Sequence, residues 1–368
     1  MKILSLGLDK SILDKNSSLA KRTVEYGNLV EKYTVIVPSS EYKTVDLSEQ
    51  VNAIGSGDIN KAIALFKIYK TAKSLLAKEK LVHEKHQGYD IITVQDQYYL
   101  ALVGLLLAKK FKIGLEIQIH GFEKYSGLRK LIVKFVIPKA NAVRTVSQRL
   151  KKRLAGEFGV EEDRITVVPV YSYVGCRMSD VGHKSDGKFI FLTVGRLVPV
   201  KNIEMQINAL ANIVKKYSNV ELWIVGEGEE KEKLLNLCYA LRVTRYAKFL
   251  GWQSHVDEFY GKADAFLLTS HSEGWGLAVV EAARCGLPII MTNVGCAGEL
   301  IVDSESGIVI PAGDQEKLEE NMVKLIEDKE LRSKLGENAR QAVLKLPSIA
   351  ETLNLYKKSW ENALKFRK

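Results

Sequence analysis

The stretch HSEGWGLAVVEAARCGLP, residues 271–288, joins a short apolar strand pattern to an apolar run with helical spacing. Between the two stand Gly274 and Gly276, which permit backbone geometry that other residues resist and allow a ligand to approach closely. A helix that begins near Leu277 would present unpaired N–H groups and a partial positive charge at its start. Such a helix start suits a phosphate, so we predict an anion-binding turn.

Two carboxylates flank this turn. Glu273 precedes it and can reach one end of a ligand, whereas Glu281, one turn into the helix, can reach another part. Because carboxylates are strong acceptors for vicinal sugar hydroxyls, the pair favours a sugar-containing ligand. The alternative is a strand-to-helix turn with incidental acids, and the spacing alone does not distinguish the two.

A second stretch, TVGRLVPVKN at 193–202, carries two cations in a loop between a strand and a helix. The strand pattern ends at Gly195, and Arg196 and Lys201 follow it. Together they fit a diphosphate, with arginine supplying a planar fork and lysine a point charge. Surface salt bridging is the alternative. Both stretches follow strands in the same half of the chain, which favours the diphosphate site.

The order of the predicted elements indicates an α/β protein. Short β-rich runs alternate with helical patterns, which is typical of parallel, doubly wound sheets. We predict a first Rossmann-like domain over residues 1–175, a polar linker over 176–187 and a second Rossmann-like domain over 188–346. Residues 347–368 read as a closing helix that crosses back to the first domain. Two such domains facing each other would hold ligands in the cleft between the carboxyl ends of their strands.

The charge is unevenly divided. The chain of 368 residues has a formal net charge of +10, and the whole excess lies in residues 1–170. This asymmetry suggests an anionic partner for the first domain. Residues 127–141 mix cations with apolar side chains, which suggests an anionic membrane surface. A buried helix with a solvated basic edge is the alternative. The aromatic residues of this half do not form a recognisable nucleic-acid-binding module, so we expect no nucleic acid.

Cysteine usage and hydropathy suggest a cytoplasmic protein that does not span a membrane. The cysteines at 176, 238, 285 and 296 form no C-x-x-C pair or zinc cluster, and we expect reduced, buried thiols. The first ten residues read as a strand rather than a signal peptide. The most apolar uncharged run, residues 97–108, is too short for a bilayer, which takes about 20 residues.

An ordered set of motifs resembles glycosyltransferase family 4, whose members are retaining enzymes with the two-domain GT-B fold. The resemblance covers residues 188–314 and, more weakly, 114–170. The segments that carry it are VGRLVPVKN, IVGEGEE, FLGW, ADAFLLTSHSEGWGLAVVEAARCGLPII and NVGCAGELI, with IQIHGFE and TVSQRLKKRL in the first half.

The resemblance implies a role for each matching side chain. Arg196 and Lys201 match the pair that binds the donor diphosphate, and Glu273 matches the acid that faces the donor sugar. Glu281 matches the acid that bonds the ribose hydroxyls. His120 matches a histidine near the transferred sugar, with a structural His-Gly turn as the alternative.

Backbone positions are implied as well. Groups near Gly251 and Trp252 match the part that meets the nucleobase. The loop that lies along the sugar and the phosphates corresponds here to Gly274, Trp275, Gly276 and Leu277.

The resemblance therefore implies a retaining glycosyltransferase of the hexosyltransferase type. A UDP-, GDP- or ADP-sugar would be the donor, and a hydroxyl of a lipid-linked or cell-envelope glycan would be the acceptor, which places the enzyme in the cytoplasm or at the inner face of the membrane. We expect no metal and no cofactor, because Arg196, Lys201 and a helix dipole can stabilise the leaving diphosphate. The alternatives are a GT-B epimerase, hydrolase or phosphorylase, and a noncatalytic nucleotide-sugar sensor.

Overall fold

A computed structural model describes residues 1–58, 60–82, 88–121, 126–171 and 187–367. The chain divides into two compact units. One comprises Met1–Pro169 together with Pro347–Lys368, and the other comprises Val170–Leu346. Each unit contains its own sheet covered by helices, which confirms the predicted α/β class.

The first unit is built on an eight-stranded sheet in its described residues, with the strand order β3-β4-β2-β1-β5-β6-β7-β8. Neighbouring strands are parallel, except that β3 is antiparallel to β4. The strands are β1 (Lys2–Leu6), β2 (Lys32–Val37), β3 (Ser39–Asp46), β4 (Val51–Asp58), β5 (Ile91–Val94), β6 (Gly114–Ile119), β7 (Ala142–Thr145) and β8 (Ile165–Val167).

The central strands of this sheet are buried along their whole length, as parallel strands covered on both faces must be. Their residues are accordingly apolar in near-continuous runs, such as IITV in β5. The covering helices are α1 (Ser18–Gly27), α2 (Lys61–Val82), α3 (Tyr99–Phe111), α4 (Gly127–Val136) and α5 (Gln148–Phe158).

The second unit has a six-stranded parallel sheet in its described residues. Its strands are β9 (Phe189–Val194), β10 (Val220–Val225), β11 (Ala247–Gly251), β12 (Ala265–Leu268), β13 (Ile289–Thr292) and β14 (Ile308–Ile310). The order is β11-β10-β9-β12-β13-β14. The chain therefore runs outward from β9 through β10 and β11, and then returns to β12 on the other side of β9. Such a reversal leaves a crevice at the carboxyl ends of the two strands.

Helices pack on both faces of this second sheet. They are α6 (Ile203–Ile213), α7 (Lys231–Ala240), α8 (Asp257–Lys262), α9 (Leu277–Arg284), α10 (Gln315–Glu327) and α11 (Lys329–Leu344). The apolar core on one face includes the fully buried Phe191, Leu222 and Leu267 of three neighbouring strands. This core packs against the strands whose carboxyl ends lead into the loops of the candidate site.

The last helix, α12 (Ile349–Lys365), packs against β6, β7 and β8 of the first unit. It begins with a capping box, in which Ser348 and Glu351 satisfy each other's backbone N–H groups. Trp360 is fully buried, and its ring lies 5.8 Å from that of Tyr33. The aromatic contact anchors the helix on the first sheet.

A buried ion pair lies beneath α12. Arg144 Nε on β7 is 3.5 Å from Glu116 Oε1 on β6, and both side chains are almost wholly buried. Thr93 donates a hydrogen bond of 2.5 Å to the other carboxylate oxygen, and Ser359 of α12 donates to Oε1. Since a buried charge must be paired and hydrogen-bonded, α12 completes the surroundings of Glu116.

The cysteines agree with the sequence expectation only in part. Cys238 and Cys296 are buried and not disulfide-bonded, as expected, but Cys285 is disulfide-bonded, so the prediction of a reduced thiol is wrong at that position. The predicted linker lies outside the described residues except for Gly187. Among the described helices, none is both long and apolar enough to cross a membrane.

Candidate functional site

The loop between β9 and α6 carries Arg196 and Lys201 and is tied to the loop after β12. Thr269 Oγ1 donates to the carbonyl oxygens of Lys201 and Asn202, at 3.2 and 2.9 Å. The backbone N–H of His271 donates to Val200 O at 2.8 Å. The loop after β12 is therefore held against the loop after β9 by hydrogen bonds to backbone carbonyl groups of the latter.

Two glycines after β10 allow this loop to pack closely. A Cβ atom at Gly226 would lie 1.9 Å from Gly195 O, and one at Gly228 would lie 2.2 Å from Leu197 O. The N–H of Leu197 donates to Glu227 O at 2.9 Å. The glycines of IVGEGEE thus allow backbone-to-backbone packing between the two loops.

The central contact of the site joins Lys201 to Glu273. Lys201 Nζ lies 2.5 Å from Glu273 Oε1, and the two side chains are 21% and 10% exposed. Ser270 Oγ donates to the same carboxylate oxygen at 2.7 Å. The sequence predicted that both residues bind a ligand, but it did not predict that they touch. Their contact forms because β9 and β12, which precede them, are neighbours in the sheet.

Arg196 lies in the same loop and is exposed. Within the described ranges, no ion pair involves Arg196. Its guanidinium and the Lys201 ammonium therefore place two cations on one loop at the crevice, where an anion could approach them from solvent.

The turn before α9 depends on positive φ angles. Gly276 is the N-cap of α9 with φ 96°, and Gly295 on the facing loop has φ 57°. A Cβ at Gly295 would lie 2.5 Å from Trp275 O, which accepts a hydrogen bond from Cys296 N. Trp275 itself is buried. A glycine N-cap has no side chain to offer, so the first N–H groups of α9 are left for another acceptor.

Glu281 lies inside α9 and is mostly buried. Tyr260 of α8 donates a hydrogen bond of 2.9 Å to Glu281 Oε2. Burial and the nearby Glu281 charge raise the pKa of Tyr260 well above its usual value, so the hydroxyl keeps its proton and remains a donor. Tyr260 could not be identified from the sequence, because nothing in HVDEFYGKA distinguishes it from an ordinary core aromatic.

Gly251 is the last residue of the edge strand β11, which pairs with β10, and Trp252 follows it. Gly251 has φ 70° and accepts a hydrogen bond of 2.8 Å from Gly226 N. The Trp252 side chain is 73% exposed, which is unusual for so large an apolar group. A flat, exposed ring at the end of a strand can stack on a planar ligand.

His120 belongs to the first unit, directly after β6. Its side chain is exposed, yet enough protein surrounds it that desolvation, with the charges of Arg144 and Arg22, lowers its pKa to about 4. The imidazole is therefore neutral at physiological pH. Of the motif that carries it, Phe122 and Glu123 lie outside the described residues.

The structure thus brings most of the predicted residues to one edge of one sheet. Those from the second unit are Arg196, Lys201, Gly251, Trp252, Glu273, Gly274, Trp275, Gly276, Leu277 and Glu281. The described residues contain no group of three or more acidic, histidine or cysteine side chains arranged for a metal ion. The site contains two cations, the start of a helix and two carboxylates, Glu273 and Glu281.

Two family models match the chain, one in each half. The model of the group 1 glycosyl transferases matches residues 177–342, and that of glycosyltransferase family 4 matches residues 32–170. Together they include every predicted site residue.

Individual proteins extend these matches. An uncharacterised glycosyltransferase of Methanocaldococcus jannaschii is 27% identical over 75% of this chain and 74% of its own length. The capsular polysaccharide biosynthesis glycosyltransferase CapM of Staphylococcus aureus is 29% identical over 58% of this chain, and the match spans only 59% of CapM. The structure of Anabaena HepE with UDP and glucose aligns with a TM-score of 0.75 over 98% of this chain and 99% of HepE, at 18% identity. That likeness establishes the GT-B fold.

Proposed function

Because the chain belongs to the group 1 and family 4 glycosyltransferases, we propose that it transfers a sugar from a nucleotide-diphosphate sugar to an acceptor hydroxyl with retention of anomeric configuration. The observation that carries the proposal is the contact between Lys201 and Glu273 at the switch point of the second sheet. In this proposal Lys201 binds phosphate and Glu273 binds sugar hydroxyls, and the two side chains lie within hydrogen-bonding distance of each other.

The diphosphate end of the donor would bind between the cations and the start of α9. Lys201 and Arg196 supply full positive charges, and the uncapped N–H groups after Gly276 supply hydrogen bonds. Negative charge builds on the leaving diphosphate as the bond to the sugar breaks. Groups fixed in advance around that charge stabilise the transition state more than the substrate.

The ion pair leaves both partners able to bind a ligand. An ammonium has three N–H donors, and a carboxylate can accept about four hydrogen bonds. Lys201 can therefore keep one bond to Glu273 while it contacts a phosphate, and Glu273 can keep Lys201 and Ser270 while it accepts from a sugar hydroxyl. In this arrangement Glu273 also fixes the direction of the lysine side chain.

The nucleoside would lie between Glu281 and the end of β11. Tyr260 uses one acceptor position of the Glu281 carboxylate and orients it, and another can accept from the ribose hydroxyls. The backbone near Gly251 and the exposed Trp252 ring suit a planar base. These assignments follow the family motif position by position.

For the transfer step we propose attack on the same face as the departing phosphate, without a covalent intermediate. The acceptor hydroxyl forms the new bond to the anomeric carbon, the bond to the diphosphate oxygen breaks, and a phosphate oxygen takes the acceptor's proton. His120, neutral because of its low pKa, would hydrogen-bond the transferred sugar rather than supply charge.

The relatives indicate where to look for substrates. HepE was solved with UDP and glucose, which makes a UDP-hexose the first donor to test. CapM is named for capsular polysaccharide biosynthesis, which supports an envelope or lipid-linked glycan as acceptor. GDP- and ADP-sugars are the next donors to test.

A thermal-shift screen followed by product analysis tests the proposal. A ligand that binds the native state at about 100 times its Kd adds about 2.7 kcal/mol of stability, so the correct donor should raise the Tm clearly. NMR of the product should then show the anomeric configuration of the donor. If none of the UDP-, GDP- and ADP-sugars raises the Tm, the donor site is wrongly assigned. Release of free sugar or of an epimer from the donor alone, with no transfer to any acceptor, would favour a hydrolase or an epimerase.

A further inference from the structure

The helix α4 of the first unit shows an apolar strip to solvent. Leu128, Leu131 and Phe135 stand at positions i, i+3 and i+7, which lie on one side of a helix, and all three are at least half exposed. Val133 and Val136 on the opposite side are fully buried against the unit. Val133 and Val136 therefore pack α4 against the unit, and the exposed strip is not needed for that contact.

Two exposed lysines, Lys130 and Lys134, lie beside this strip on the same outward side. Together with Leu128, Leu131 and Phe135 they make up the outward face of α4. Two neighbouring cations contact aromatic rings. Arg129 lies over the Tyr98 ring at 5.6 Å, and Lys139 lies over the Phe135 ring at 3.8 Å and donates to Phe135 O.

The sequence around α4 is rich in cations, and residues 126–156 contain neither aspartate nor glutamate. The cationic character continues where α4 ends, at a cavity of about 470 Å³. Its lining includes one carboxylate, Glu161, and five cations, which are Lys109, Lys112, Lys139, Arg164 and Arg367.

We propose that the outward face of α4 docks on an anionic lipid bilayer. Leucine and phenylalanine side chains can enter the boundary between headgroups and acyl chains, while lysines beside them remain at the level of the lipid phosphates. Each lysine near such a surface contributes about fivefold in affinity, and the apolar side chains contribute through the area that they bury.

A second copy of the chain fits this face less well. In a symmetric contact the same patch meets itself, so Lys130 and Lys134 of one copy would oppose those of the other. Like charges held close together repel, whereas an anionic bilayer attracts all of them. The strip is also narrow, with three apolar side chains over about 10 Å of helix, which suits shallow insertion better than a protein interface.

Sedimentation of the full-length protein with vesicles tests the proposal. Vesicles of phosphatidylcholine alone are compared with an equal mixture of phosphatidylcholine and phosphatidylglycerol, at low ionic strength. We expect binding to the mixed vesicles that weakens as salt is added, because surface charges are screened. Equal binding to both kinds of vesicle, or to neither, would overturn the proposal.

Two pairs of variants locate the contact. Leu131→Ser with Phe135→Ser should weaken binding about tenfold or more, because it removes the inserting side chains. The matched control is Leu344→Ser with Tyr239→Ser in the second unit, where Leu344 is 65% exposed against 66% for Leu131. Lys130→Ala with Lys134→Ala should weaken binding about thirtyfold or more. Lys334→Ala on α11 with Lys345→Ala at its C-cap changes the net charge equally and should have a small effect.

The outcome is independent of the proposed function. Circular dichroism and the donor-induced Tm shift should be unchanged in the α4 variants, because the proposed donor site contains no residue of α4. If the controls lose as much vesicle binding as the α4 variants, or if the apolar pair abolishes self-association instead of vesicle binding, the bilayer is not the partner.

Discussion

Lys201 is the residue on which the proposed chemistry depends most directly. Its ammonium is paired with Glu273 at 2.5 Å and would stabilise charge on the leaving diphosphate. Lys201→Ala should therefore lower kcat about 100- to 1,000-fold in steady-state assays, as loss of a transition-state donor does. Lys188→Ala is the matched control, since Lys188 forms a similarly close pair with Glu221 (2.7 Å) at the opposite end of β9. Near-normal turnover in both Lys201→Ala and Arg196→Ala would refute the assignment.

Tyr260 is predicted to act through Glu281. Tyr260→Phe removes the 2.9 Å hydrogen bond while keeping the ring that fills the core. We expect a loss of about 1–3 kcal/mol in unfolding free energy, because a buried carboxylate loses a partner. We also expect a higher Kd for the nucleotide with less effect on kcat, measured by calorimetry and by steady-state kinetics. An unchanged Kd would separate Glu281 from nucleotide binding.

His120 gives a prediction about pH. Its pKa is about 4 in the folded protein, whereas an ordinary histidine has about 6.5. Between these values the unfolded chain binds more protons, so this residue lowers stability as pH falls from about 6.5 to 4. NMR should show a His120 titration midpoint near 4 in the native protein and near 6.5 in urea. Urea denaturation of His120→Asn should show a smaller stability loss over that window. A native midpoint near 6.5 would contradict the prediction.

The residues of the candidate site could be predicted because they stand in short, ordered motifs. Gly274, Gly276, Glu273 and Glu281 occupy a strand-to-helix turn whose chemistry is local. The contact between Glu273 and Lys201, 72 residues apart, could not be predicted in the same way. It depends on which strands are neighbours, and strand order is a property of the whole sheet.

At the scale of elements, the conformation of the loop after β9 is predicted to depend on the glycines that follow β10, because they leave room for its backbone. Gly226→Ala would place a Cβ 1.9 Å from Gly195 O at a φ of 140°, so backbone must move. We expect a cost of about 1–3 kcal/mol or more and weaker donor binding. Gly156→Ala is the opposite case. It lies exposed in α5 with no atom within 4 Å of the new Cβ, and it should add about 0.5–1 kcal/mol. Urea denaturation distinguishes the two, and equal effects would contradict the argument.

Elements with a strong apolar period could be predicted, and those without one could not. Strands β5 and β12 are buried runs of four residues that any apolar pattern would indicate. Strand β3 is an exposed antiparallel edge strand of mostly polar residues, SSEYKTVD, and its sequence resembles that of a loop. The pattern predicts burial, whereas β3 is held mainly by backbone pairing with β4.

At the scale of the whole molecule, the stability of the first unit is predicted to depend on α12. Trp360→Ala removes a fully buried indole that packs beside Tyr26 and Tyr33. We expect a loss of about 3–5 kcal/mol in unfolding free energy by chemical denaturation. Leu344→Ala, which truncates an exposed side chain on α11, should change it little. If Trp360→Ala lowers the unfolding free energy no more than Leu344→Ala does, α12 is not a structural part of the first unit.

The position of α12 in the chain also has a consequence for biosynthesis. The first sheet is translated early, but the helix that covers β6–β8 and hydrogen-bonds Glu116 follows the whole second unit. At about 5–20 residues per second, the ribosome needs roughly 10–35 s to make the intervening residues 170–346. During that time the nascent first unit carries an uncovered ion pair and an open apolar groove. The second unit is a single continuous segment of the chain and can complete its folding first. The first unit is translated earlier but completes its folding last, because it needs α12.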